Sequence, residues 1–206
     1  MAESGPFGIK PFWWLGGGCL AALVCLVAGV TGASLGWAVY GPGSDGGQVA
    51  EQSTQPVRDA PIQPLRGNPI GQRAPDFTLL ALDGTSYTLS DIHDRPVLIN
   101  FWATWCGPCR TEMPVIEAAY QAHRAEGLIV LGIDVEENPE VAEAFAGWLG
   151  ITFPVLDDGT GEVMRRYRVT ALPTSFFVDV DGVIRAWQVG AVTEAALDRH
   201  LATILR

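Results

Sequence analysis

The stretch "PVLINFWA" (96–103) carries apolar side chains at nearly every position, with no polar alternation. A strand with one wet face alternates, so a run apolar on both faces must be covered on both. Such a strand demands a sheet with helices on either side, and the flanking pattern supplies them. "DFTLLALDGTSYTLSDI" (76–92) holds two strand-like runs joined by Asp83-Gly84, a strong hairpin signal. Gly107 to about Ala125 reads as a helix with an expected kink at Pro114. "LIVLGIDV" (128–135) is a second buried strand, and "NPEVAEAFAGWLG" (138–150) a second helix stopped by Gly150. "FPVLDD" (153–158) is a short strand or turn, followed by a short helix from about Glu162 to Tyr167. "TSFFVDVDGVIRAWQVG" (174–190) is a hairpin turning at Asp181-Gly182. Thr193 caps a last helix, Glu194 to Leu205, with Ala196, Leu197, His200, Leu201 and Ile204 on about one face. This alternation, closed by an antiparallel hairpin, predicts an α/β fold with a central mixed sheet flanked by helices.

Upstream, Phe12 to Tyr40 contains no charged residue. About 20 apolar residues span a bilayer as a helix, and this run exceeds that. Trp13 and Trp14 mark one end and Trp37 and Tyr40 the other, as interfacial aromatics do. Lys10 precedes the run while Asp45 and Glu51 follow it, which places the N-terminus in the cytoplasm and the bulk of the chain outside. A cleaved signal peptide is the alternative, with "TGAS" (31–34) as a small-residue site. The length of the run and the lack of a basic leading segment favour an uncleaved anchor. Cys19 and Cys25 then read as small apolar residues of the span. From Gly41 to about Gln72 the chain turns to Gly, Pro, Gln, Ser and Asp, with Pro42, Pro56, Pro61, Pro64 and Pro69, and reads as a flexible tether. The expected organisation is a cytoplasmic N-terminus (1–11), a transmembrane anchor (12–40), a linker (41–72) and one globular domain (73–206) in the extracytoplasmic space. A net charge of −10 disfavours nucleic acid as a partner.

The chemistry concentrates in "NFWATWCGPCRTEMP" (100–114). Cys106 falls just past a buried strand, at the start of the next helix, where unpaired N–H groups favour a thiolate. That placement lowers a cysteine pKa from about 8.5 towards 7 or below. Cys109, one turn on, faces the same side and can resolve a mixed disulfide formed at Cys106. Gly107 leaves Cys106 uncovered, and Pro108, lacking an N–H, suits the first turn. Cys106 is the expected nucleophile and Cys109 the resolving thiol. A structural zinc would need four ligands, and His93, His123 and His200 are scattered. A structural disulfide across two residues would constrain almost nothing. In "VTALPTSFFVD" (169–179), Pro173 precedes a strand run, and a cis bond there is one solution. Were this loop beside the cysteines, the Leu172 backbone could pair with an extended segment of a partner.

"FWATWCGPCRTEMP", "VTALPTSFFVDVDG" and "APDFTLLALDG" together resemble the thioredoxin superfamily, and within it the membrane-tethered TlpA/ResA/CcmG-like thiol–disulfide oxidoreductases. The resemblance covers about Ala74 to Arg206. It implies a thioredoxin fold with an added helix–strand element from Glu136 to about Asp158, a cis-Pro173, and reduction of disulfides in client proteins. Electrons would come from a membrane thiol carrier, and apocytochrome c or its haem-ligation partners would be the clients. No cofactor is implied. Asn100 stands where many thioredoxins carry a buried aspartate, so base assistance to Cys109 must come from elsewhere. Glu112 matches an acidic residue that such relatives place three residues after the second cysteine, where a half-buried carboxylate would tune the thiols. Without the resemblance, it reads as an exposed first-turn glutamate.

Trp105 is expected at the surface, shielding Cys106 and contacting partners. Phe101 and Trp102 read as core, Trp148 and Trp187 as packing residues, Arg110 as a solvated helix charge. "DVEENPE" (134–140) reads as a solvated acidic loop. Gly-Pro between the cysteines is the thioredoxin choice, at about −270 mV, which favours a reductase. Two other functions fit parts of the chain. A copper(I) carrier could use the two thiolates, but such a site wants a third ligand and a wider gap. A thiol peroxidase would share "APDFTLL", yet needs a threonine three residues before the attacking cysteine, where Ala103 stands.

Overall fold

The computed structural model describes residues 63–92 and 94–205. The apolar run 12–40, with Cys19 and Cys25, most of the tether, and His93 lie outside the described residues. Among the described residues no helix is long and apolar enough to cross a membrane.

The predicted buried strand is β3 (Val97–Trp102), and all six of its residues are buried. It is the middle of a five-stranded sheet. β4 (Ile129–Val135) runs parallel to it on one side, followed by β5 (Val155–Asp158), parallel to β4. On the other side β6 (Thr174–Val178) and then β7 (Ile184–Val189) are antiparallel. β1 (Thr78–Leu80) and β2 (Ser86–Thr88) form a separate hairpin through Asp83-Gly84. Within "FPVLDD", Val155–Asp158 is thus a strand of the sheet rather than a turn.

The register sorts the side chains into two faces. Asn100 pairs with Gly132 and Ser175, and Trp102 with Asp134, so these share one face. Over it lie α1 (Gly107–His123) and α4 (Glu194–Leu201), with the Phe177 ring 4.8 Å from that of His200. On the opposite face Phe101 and Phe176 surround Tyr167, with ring centroids 5.3 and 5.1 Å away. Tyr167 follows α3 (Glu162–Arg166), and its hydroxyl donates to the Pro75 carbonyl at 2.8 Å. This aromatic core makes the sheet central and two-sided, as an unalternating β3 requires.

Local chemistry sets the helix ends. The Asn138 side chain caps α2 (Pro139–Leu149) by accepting from Glu140 N–H at 2.9 Å, and Gly150, at φ 69°, ends it. Thr193 caps α4, which ends at Leu201 rather than Leu205, although Ile204 remains buried. Helix α1 continues past Pro114 to His123.

Four sequence expectations need correction. Asp134 is not on a solvated loop; it is fully buried, because β4 extends to Val135 before the chain turns out. Trp148 is 77 % exposed and touches the Phe145 ring at 5.8 Å, so it caps a helix face instead of filling core. Trp187 is likewise exposed, on the edge strand β7. The folded domain also begins before residue 73. Leu65 is buried and its N–H donates to the Arg166 carbonyl, while Gly71 N–H donates to Ile184 of β7. A Gly/Pro-rich segment can dock through single side chains and backbone bonds without any periodicity to announce it.

Candidate active site

β3 ends at Trp102, and the turn Ala103–Cys106 is closed by Cys106 N–H donating to the Ala103 carbonyl at 3.2 Å. Cys106 is the N-cap of α1, with an extended backbone, and its Sγ accepts from Cys109 N–H at 3.2 Å. Helix N–H groups and the positive end of the helix dipole therefore converge on this sulfur, as a thiolate requires. Pro108 occupies the first turn, where no N–H is missed. The two sulfurs are joined as a disulfide with the Cα atoms 5.2 Å apart. Cys106 is 6 % exposed and Cys109 wholly buried, so the first sulfur is the more accessible of the two. Gly107 and Pro108 are exposed beside it, and Trp105, 64 % exposed, stands as the expected surface ring.

The Leu172–Pro173 bond is cis. β6 starts at Thr174, which pairs with Phe101 near the end of β3. The loop carrying Leu172 and Pro173 therefore leaves the sheet at the same end as the cysteine turn, on the adjacent strand. The Pro173 carbonyl accepts from Gly190 N–H at 2.8 Å, which ties the loop to the end of β7.

Glu112, one turn beyond Cys109 on α1, is buried, contrary to an exposed first-turn residue. Its Oε1 accepts from Asn100 Nδ2 at 2.8 Å and its Oε2 from Val192 N–H at 2.7 Å. Asn100 Nδ2 also donates to Ser175 Oγ at 3.0 Å. Burial pushes the Glu112 carboxyl up to about 7, with the Val192 and Asn100 donors opposing the rise. Asn100 thus occupies the buried centre of the site and acts as a donor to Glu112, not as a base. Ser175 and Val192 lie 75 and 80 residues from their partners and carried no sequence signal. Arg110 is exposed, as a solvated charge. Among the described residues no group of three or more His, Cys, Asp or Glu is placed to hold a metal ion.

A thioredoxin-like sheet presenting a capped Cys-Gly-Pro-Cys disulfide beside a cis-proline loop defines a thiol–disulfide oxidoreductase. The sequence profile of the AhpC/TSA family matches residues 70–187, and the chain belongs to that family. Among curated relatives, the thiol-disulfide oxidoreductase ResA of Geobacillus kaustophilus is 38 % identical over 135 residues, covering 66 % of this chain and 78 % of that protein. The thioredoxin-like protein YneN of Bacillus subtilis is 40 % identical over 134 residues, covering 64 % and 78 %. Among solved structures, a thiol:disulfide interchange protein DsbE from Chlorobium tepidum aligns with a TM-score of 0.63 at 32 % identity, covering 66 % of this chain and 98 % of that one.

Proposed function

We propose that this oxidoreductase is a membrane-tethered, extracytoplasmic reductant of disulfides in client proteins, with clients of the cytochrome c maturation type. In this reading Cys106 attacks, Cys109 resolves and Glu112 tunes the pair. The observation that carries it is the asymmetry of the two sulfurs: Cys106 at the rim, at the helix N-cap, and Cys109 sealed one turn below with Glu112 beyond it.

The reaction balances without a cofactor. In the dithiol form the Cys106 thiolate attacks one sulfur of the client disulfide, forming a mixed disulfide and releasing the other client sulfur as thiolate, which takes up a proton. Cys109 gives its proton to a base and attacks Cys106 Sγ, releasing the second client sulfur as thiolate, which takes up a proton, and leaving the Cys106–Cys109 disulfide. The client gains two electrons and the protein loses them. A membrane thiol carrier then restores the dithiol. Glu112, titrating near 7, suits the transfer of the Cys109 proton. Trp105, Gly107 and Pro108 offer the surface a client meets, and Leu172 its backbone groups, which have no hydrogen-bond partner among the described residues. The charge-free run 12–40 supports the membrane tether.

Trapping and redox titration test this together. With haem-free cytochrome c as the oxidised client, Cys109→Ala should accumulate a mixed disulfide at Cys106 and Cys106→Ala should not. Equal trapping by both variants would overturn the assignment of roles. A reduction potential near or below about −270 mV supports a reductant, whereas one near −120 mV would make the protein a disulfide donor.

A further inference from the structure

Thr104 lies between the last residue of β3 and Cys106, and one carboxylate holds it twice. Its backbone N–H donates to Glu137 Oε1 at 2.5 Å and its hydroxyl to Glu137 Oε2 at 2.5 Å. Glu137 sits on the loop that follows β4, 33 residues away in sequence. Nothing in the disulfide chemistry accounts for this grip on the residue two before the reactive sulfur.

Three residues before Glu137, next to the last residue of β4, Asp134 is fully buried with neither carboxyl oxygen in a hydrogen bond. Trp102 faces it from β3, and the Trp102 Nε1 is likewise without a partner. Asp157, its register partner, faces it from β5, and Glu137 from its own loop. These charged neighbours are both carboxylates, which as ions accept and cannot donate. A buried carboxylate left among carboxylates is costly, and one proton removes the repulsion and turns one of the two unpaired oxygens into a donor. Burial first, then Glu137 and Asp157, push the Asp134 carboxyl up to about 9, so it is neutral at ordinary pH.

We propose that Asp134, holding a proton, donates it to Glu137, and that this acid–carboxylate pair is a brace that fixes the grip on Thr104 and so positions Cys106 at the helix N-cap. Asp134 and Glu137 are positioning residues; neither touches the client. The inference rests on Cys106 being the attacking sulfur. It also predicts an alkaline limit: ionised Asp134 repels Glu137 and loosens the turn ahead of Cys106.

The test is the pH profile of iodoacetamide alkylation of the reduced full-length chain, with peptide masses identifying the labelled cysteine. Three variants keep the Glu137 charge. Asp134→Asn retains a donor and should follow the parent profile to about pH 8, without the change expected near 9. Asp134→Val, which has none, should slow Cys106 alkylation at pH 7 by about tenfold, the effect of a one-unit rise in thiol pKa. Thr104→Val removes one of the two bonds from outside the core and should slow it by about threefold, half that change on a logarithmic scale. Should Asp134→Val fail to fold, the Thr104→Val and Asp134→Asn profiles decide. Unchanged Cys106 profiles with lowered melting temperatures would overturn the brace, as would Asp134→Asn departing from the parent below pH 8. Label on Cys109 of the parent protein would instead overturn the assignment of the attacking sulfur.

Discussion

Glu112 and Asp134 are two buried carboxyls on the same face of one sheet, beside β3 positions two residues apart, and they behave differently. Glu112 has a donor for each oxygen, from Asn100 and Val192, and burial raises it only to about 7. Asp134 has none, faces two other carboxylates, and rises to about 9. Burial alone does not set a carboxyl's proton affinity; the donors that meet it decide how far burial carries it. In the roles proposed above, the first group exchanges a proton during turnover and the second keeps one throughout.

The strongest way to break this contrast is to remove the poised group. Glu112→Gln should cut client reduction near pH 7 by about a hundredfold, the scale of lost general acid–base assistance, and erase a limb of the rate profile near 7. Rates measured from pH 5 to 9 check it, and an unchanged profile would mean that Glu112 does not handle the proton.

Stability against pH separates the two carboxyls next. Both have folded values above their ordinary ones of 4.5 and 3.8, so the folded state binds the extra proton. Each contribution is fully present below the ordinary value and is lost as pH rises through the folded one. Glu112 therefore weakens the fold from about pH 4.5 to 7, and Asp134 from about 4 to 9. Between pH 7 and 9 the oxidised Asp134→Asn variant should escape a loss of up to ~1.4 kcal/mol per pH unit that the parent suffers. Denaturant unfolding at pH 7, 8 and 9 reads this directly, and parallel curves would refute a proton held at Asp134.

A smaller change sharpens the comparison by making Glu112 more like Asp134. Asn100→Ala removes one of its two donors and should raise its titration further above 7, by about one unit. Carboxyl-region NMR titration of the oxidised protein would show it. Ser175→Ala, which removes only the outer acceptor of the Asn100 amide, should cost ~1 kcal/mol of stability and leave the Glu112 titration in place.

Much of this architecture is legible in the sequence, because the signals are local. β3 and β4 announce themselves as unalternating apolar runs, α2 by Asn138 and Gly150, the hairpins by Asp83-Gly84 and Asp181-Gly182. The cysteine pair and Pro173 are equally local, and the resemblance of the whole domain to known oxidoreductases is carried by them. Asp134 is harder, since it begins an acidic string, yet it stands between Ile133 and Val135 at the end of a buried run. A charge inside such a run marks either a strand end or a buried carboxyl, and here it marks both. Trp148 misleads in the other direction: on α2, Ala142 and Ala146 take the buried side, and the bulkier ring is left outside. The bonds from Glu137 to Thr104 and from Val192 to Glu112 join residues that only the sheet order brings together.

The docking of Leu65 and Gly71 bears on how this domain could be cut out and handled. Gly71 and Gln72 exchange backbone bonds with Ile184 along the outer edge of β7, and Arg73 continues the pairing at Val183. A fragment beginning at Gln72, where composition alone would place the cut, loses the Gly71 bond and leaves the socket of Leu65 empty. The uncovered rim of a sheet is a template for another chain. The few residues ahead of the composition boundary are thus a seam, and a fragment that starts upstream of Leu65 keeps it closed.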